Sequence, residues 1–216
     1  MAGSKRIELA ARLRKITGWS GLKFDDSGTL RFGSDAPLKG SSQARDLLSR
    51  VLAGPNVLVL EDASNRSDVV FARVVEGYWS EGATDRPPVY VVLIDFADFD
   101  HLMGDQQALN AFNVGWAMLH EIDHVANDSL DAEAPGRAGE CEAHLNQMRR
   151  ELNLPDRTDY FFMYFPHADY SAFSTRFVRL AFDEQDAHGK HRRYWLIWDA
   201  TLVGGLNQAK QVASRR

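Results

Sequence analysis

A single α+β domain is the fold class this sequence predicts, and three observations carry the prediction. Three runs in the middle of the chain are rich in β-branched residues and bounded by turn chemistry: NVLVLED at 56–62, DVVFARVVEG at 68–77 and PVYVVLIDF at 88–96. Stretches with helical apolar spacing lie on both sides of them. No internal repeat, low-complexity tract or linker divides the 216 residues, a length that supports one sizeable core and is short for two. One domain over residues 1–216, with a mostly antiparallel sheet, is therefore expected.

The elements follow in order. Residues 4–16 are predicted helical, with Leu9, Leu13 and Ile16 interleaved among basic residues and Gly18 and Gly21 ending the run. GLKFDDSGTLRFG predicts a short hairpin, with Leu22 and Phe24 on one arm, Leu30 and Phe32 on the other, and Asp26-Ser27-Gly28 in the turn. SSQARDLLSRVLAG has a serine N-cap, apolar positions at Leu47, Leu48 and Val51, and Gly54 beyond its end, which predicts a second helix. VYVVLI at 89–94 lacks polar alternation, so it is expected to be a strand covered on both faces. A long helix is predicted from about Gln106 to Asn127, and another from about Gly139 to Leu152, closed by Asn153 and Pro155. In the aromatic last third, DYFFMYF at 159–165 fits a strand or the wall of a cleft. TRFVRLAFDE and RRYWLIWDA, joined by QDAHGKH, predict another hairpin.

Composition narrows the function classes. The chain is 44% hydrophobic and 25% charged, the balance of an ordinary globular protein. Its formal net charge of −5 argues against nucleic acid as an obligatory partner, because phosphate binding needs a basic face. The basic start fits an amphipathic surface helix better than a targeting peptide, since Glu8, Arg12, Arg14 and Lys15 interrupt any secretory apolar region. The apolar runs fall far short of the roughly 20 residues a membrane span needs. Cys141 is the one cysteine, so no intramolecular disulfide can form, and a reducing cytoplasm is the expected location. Export by a route that needs no cleaved signal stays open.

The stretch AMLHEIDHVAND at 117–128 carries the chemistry. On a helix, residues i and i+4 share one face, so His120 and His124 project their imidazoles toward one point, as two ligands of a tetrahedral Zn²⁺ must. Glu121, rotated by about 100°, reaches a water at the open position without being a ligand itself. This is the HExxH arrangement, with the glutamate as general base. A five-residue pattern arises by accident, and context weighs for it here. Phe112, Trp116 and Leu119 form an apolar stripe on the same helix, a buried-type strand precedes it, and GECEAHLN follows on a second helix. On that second helix the apolar face runs through Cys141, Leu145, Met148 and Leu152. Glu142 and His144 flank it at similar angles, whereas Glu140 points further toward solvent. Glu142 is the favoured third ligand, with His144 and Glu140 as alternatives.

HEIDH followed by ECEAHLN resembles the gluzincin metallopeptidases, whose second helix supplies a glutamate zinc ligand. The resemblance covers about residues 110–155. It is strongest to short bacterial members, the regulator-cleaving and the effector-type peptidases. In the former the ligand glutamate precedes an alanine, as Glu142 precedes Ala143 here. Asp123 before the second histidine departs from the small or apolar residue usual there. The resemblance implies a zincin-like domain in which an HExxH helix and a second ligand-bearing helix pack on the sheet.

The expected activity is zinc-dependent hydrolysis of peptide bonds in a protein or peptide substrate, with His120, His124 and Glu142 on Zn²⁺ and Glu121 as base. The alternative is a zincin-like binding or regulatory module without turnover. Asp123 and Asp128 are candidates for orienting the imidazoles. Cys141 reads as packing, and His101, His188 and His191 have no ligand-like spacing. Tyr160, Tyr164, His167 and Tyr170 are candidate donors to a developing oxyanion, with Tyr164 preferred.

Overall fold

The computed structural model describes residues 3–33, 36–37, 39–79, 85–164, 176–185 and 188–204. It is an α+β fold with mostly antiparallel pairing. Helix α1 (Gly3–Thr17) buries Leu9, Ala10, Leu13, Ile16 and Thr17. The predicted hairpin is β1 (Lys23–Phe24) and β2 (Leu30–Arg31), paired Lys23↔Arg31. Helix α2 (Ser42–Ala53) starts where the Ser41 hydroxyl accepts from the Ala44 amide at 3.0 Å, and it buries Ala44, Leu47 and Leu48.

Strands β3 (Val57–Asp62), β4 (Ala72–Gly77) and β5 (Val89–Ile94) form one sheet in the order β3-β5-β4. β3 runs parallel to β5 and β4 antiparallel to it. β4 is shorter than its sequence run because Phe71 turns into the left-handed region, φ 61°, with its amide donating to Asp98 at 2.9 Å. Full cover on β5 holds for Val92, Leu93 and Ile94, while its first half is part-buried.

The helix expected from Gln106 to Asn127 is two helices. A short α3 (Phe96–Asp100), capped by Asp95, and β6 (Met103–Gly104) come first; neither was evident in the sequence. Then α4 (Gln106–Ala111) ends at extended Phe112 and Asn113, and α5 (Val114–Asn127) begins. The physical reason is side-chain competition with helix continuation. Asn113 Oδ1 accepts from the Gly115 amide at 3.1 Å, and the Trp116 indole donates to the Asn110 carbonyl at 2.9 Å. Phe112 thereby leaves the stripe it was expected to share with Trp116 and Leu119.

Helix α6 (Gly139–Glu151) matches its prediction. The second sheet holds β7 (Asp156–Arg157), β8 (Met163–Tyr164), β9 (Phe177–Gln185) and β10 (His191–Asp199). Its order is β6-β10-β9-β7, with β8 also on β9 and every pairing antiparallel. One core gathers α1, α2, β5, α5 and α6; another gathers Phe71, Phe112 and the inner faces of β9 and β10. No helix among the described residues is long and apolar enough to cross a membrane.

Candidate metal centre

Every residue of α5 from Val114 to Asp123 is buried, so the helix presents its histidines from a fixed position. His120 and His124 lie one turn apart with ring planes at 85° and Nε2 atoms 3.1 Å from each other. Each ring's other nitrogen is turned to an acceptor. His124 Nδ1 faces the Ser129 carbonyl at 2.7 Å, and His120 Nδ1 faces Glu142 Oε1 at 3.2 Å. Nitrogens in those positions carry a proton and donate, so each Nε2 is left with a lone pair or, on the His120 cation that its carboxylate contacts favour, with a second proton shared with His124 or Asp131. Two lone pairs that close repel unless a cation or a shared proton lies between them.

A third atom converges on the same place. Asp131 Oδ1 is 3.1 Å from His120 Nε2 and 3.6 Å from His124 Nε2. It is buried, with no hydrogen-bond partner beyond the imidazoles. The loop after α5 delivers it: Asp128 ends the helix in the left-handed region, and the chain doubles back onto the start of α6. There the Glu140 amide donates to the Leu130 carbonyl at 3.0 Å, and the Glu140 carboxylate accepts from the Leu130 amide at 3.2 Å. Gly139, φ 82°, packs on this turn; a Cβ would fall 2.5 Å from the Ala132 amide nitrogen.

Glu142, the expected third ligand, faces His120 Nδ1 and not the two Nε2 atoms. The helical angle does aim it at His120, but it meets the ring from behind, on the Nδ1 side. Its oxygens are taken by Arg149 Nη1 at 2.6 Å and Arg157 Nη1 at 2.8 Å. Burial alone pushes its carboxyl up, but the two guanidiniums outweigh that and hold it well below the usual carboxylate range. The alternatives are engaged elsewhere as well, Glu140 with Leu130 and His144 Nδ1 with Asp123 Oδ2 at 2.9 Å. Asp123 also accepts from Ser129 Oγ at 2.6 Å, so it bears on His124 only through Ser129, and Asp128 is exposed.

Cys141 Sγ sits 3.2 Å from His120 Nδ1, and burial pushes its thiol up to about 11. His120, His124 and Cys141 together offer three ligand atoms within 4.8 Å. The trio with Asp131 is tighter, its three atoms lying 3.1–3.6 Å apart. His120 is disfavoured as a cation by burial, yet the Asp131, Cys141 and Glu142 contacts hold its pKa well above the ordinary value.

Glu121 is buried beside the pair; its Oε2 accepts from the Val74 amide in β4 at 2.8 Å, and burial raises its pKa. A cavity of about 310 Å³ adjoins these groups, lined among others by His120, Glu121, Tyr160, Phe71, Phe162 and Trp198. DYFFMYF is thus both readings at once, a cleft wall through residue 162 and a strand at 163–164. Tyr164 lies exposed on β8, away from the cavity lining. Tyr160 lines it instead: its ring stacks on His120 with centroids 6.1 Å apart, and its hydroxyl bonds to Asp131. His167 and Tyr170 lie outside the described residues, while His101, His188 and His191 are exposed. Asp131 was missed because it is one of several acids in a loop, and only the tertiary turn singles it out.

Comparison with protein-family models, with curated proteins and with solved structures yields no match.

Proposed function

We propose that the chain is a zinc-dependent peptidase whose metal is held by His120 and His124 and whose general base is Glu121. One observation carries the reading: the two Nε2 atoms lie 3.1 Å apart, each with its opposite nitrogen committed to an acceptor. Imidazole nitrogens with a carboxylate nearby suit zinc, so the donor set fits the ion. Zinc there would supply a Lewis acid that polarises a carbonyl and makes water a nucleophile near neutral pH.

The protein groups divide the remaining work. The Val74 amide fixes the orientation of the Glu121 carboxylate, which takes a proton from the attacking water and returns it to the leaving amine. The cavity accepts a substrate side chain. Aromatic rings dominate its lining, and the Glu142 charge within it is already matched by Arg149 and Arg157, which favours a bulky uncharged side chain.

The test is a pair of variants. Glu121→Gln keeps the histidines and should bind zinc normally while losing nearly all hydrolysis, because an amide accepts no proton at neutral pH. His124→Ala should lose zinc and hydrolysis together. Wild-type turnover in Glu121→Gln sinks the mechanism. A second reading, a zincin-like module that holds metal without turnover, draws on the Val74 contact that already occupies one Glu121 oxygen. Stoichiometric zinc with no cleavage across a peptide library favours it.

A further inference from the structure

We propose that Asp131 is the third protein ligand of the metal, and that Glu142 is the carboxylate that orients His120. This rests on the reading that His120 and His124 hold zinc. The three atoms His120 Nε2, His124 Nε2 and Asp131 Oδ1 are separated by 3.1, 3.1 and 3.6 Å. A tetrahedral zinc with ligands at about 2.0–2.1 Å has ligand-to-ligand edges of about 3.3 Å, so these atoms mark out one face of such a site. Asp131 Oδ1 is buried and has no partner beyond these two imidazoles, so binding a metal would cost it no other hydrogen bond. Three protein ligands leave one position open, the pattern of a catalytic site.

The residues behind the histidines complete the argument. Glu142 accepts from His120 Nδ1, as Ser129 O accepts from His124 Nδ1; both contacts fix the tautomer that presents Nε2. Arg149 and Arg157 hold Glu142 in place and draw its charge away from any metal. Tyr160 bonds to the Asp131 carboxylate and lies over the His120 ring, so it fixes the ligand from the cavity side. Gly139 and Glu140 pin the loop that carries Asp131 to α6. The ligand set is therefore two histidines and a loop aspartate, with the α6 glutamate one shell behind.

The experiment measures zinc affinity of the full chain by competition with a chromogenic chelator, and the visible spectrum of the cobalt-substituted protein. Asp131→Ala should weaken zinc by more than about 100-fold and change the cobalt bands. Glu142→Gln should weaken zinc by about 10- to 100-fold with the cobalt bands unchanged, as for an orienting group. Cys141→Ser should bind as the wild type does, and the wild type should lack a thiolate-to-cobalt charge-transfer band. If Asp131→Ala folds poorly in chelator, the isosteric Asp131→Asn carries the test with the same direction. Wild-type affinity in the Asp131 variants, or altered cobalt bands in Glu142→Gln, overturns the assignment. His124→Ala separates the two proposals: if it binds zinc as well as the wild type, the metal site itself fails. If it loses zinc while Asp131→Ala keeps it, only the ligand assignment fails.

Discussion

Around α5 the core is mostly aliphatic, built on Leu9, Leu13, Leu47, Leu48, Leu119 and Leu145 with few rings, whereas across β9 and β10 rings are concentrated, in Phe71, Phe112, Phe182 and Trp198. Branched side chains interdigitate to high density and hold a helix in one place. Rings that meet edge-on, as Phe71 does with Phe112 at 5.1 Å and with Trp198 at 5.3 Å, keep specific geometry but leave room between them. The cavity beside His120 is walled by Phe71, Phe112, Phe162 and Trp198 of the aromatic side facing α5 and α6. The molecule thus separates two tasks: one core fixes the histidines, and the other shapes the space in front of them.

Arg149 joins the two. Its guanidinium lies 5.0 Å from the Trp116 ring of the first core and 5.7 Å from the Phe182 ring of the second. Its Nε donates to the Ala111 carbonyl at 3.0 Å and its Nη1 to Glu142. Arg149→Met is expected to have the largest effect on stability, a loss of about 3–5 kcal/mol, because it takes one of two guanidiniums from a buried carboxylate and leaves the Ala111 carbonyl without its donor. Adding Glu142→Gln should recover much of that loss in urea unfolding. If the double variant is no more stable than the single, the charge is not what couples the cores.

A smaller effect should tell the cores apart. Leu119 and Leu180 are both buried, but Leu180 lines the cavity. Leu119→Ala is expected to cost about 4 kcal/mol, and Leu180→Ala about 2 kcal/mol, since truncation beside an existing cavity opens less new void. Equal losses in chemical denaturation would mean that the two cores are packed alike.

The same contrast governs what the sequence reveals. α1, α2 and α6 were legible because caps, glycines and apolar spacing are local signals, and the β9–β10 hairpin was legible from its two apolar arms. The histidine pair and Glu121 were legible because i and i+4 fix their relation within one helix. For Glu142 the spacing indicated the direction, toward His120, but periodicity sets an angle around an axis and says nothing about which side of the ring is reached. Asp131 carried no local signal, because its position depends on a turn pinned by Gly139 and Glu140. The break between α4 and α5 was hidden because Phe112 kept helical spacing while belonging to the other core.

That break offers the finest test of the comparison. Asn113 caps α5 through its Oδ1 and donates from Nδ2 to the Asn110 carbonyl at 3.2 Å, so it both starts α5 and closes α4. The chain crosses here from the aromatic core at Phe112 to the aliphatic core at Val114. If the two cores impose the crossing, Asn113→Ala removes only a cap and should cost about 1 kcal/mol. Zinc affinity should then stay within about twofold, because the packing around α5 still fixes the histidines. If the cap itself imposes the crossing, alanine lets α4 and α5 fuse, helical content rises in circular dichroism, and Phe112 is drawn out of the aromatic core. A gain in helicity with weakened zinc binding would therefore show that one side chain, and not the contrast between two cores, sets where α5 begins.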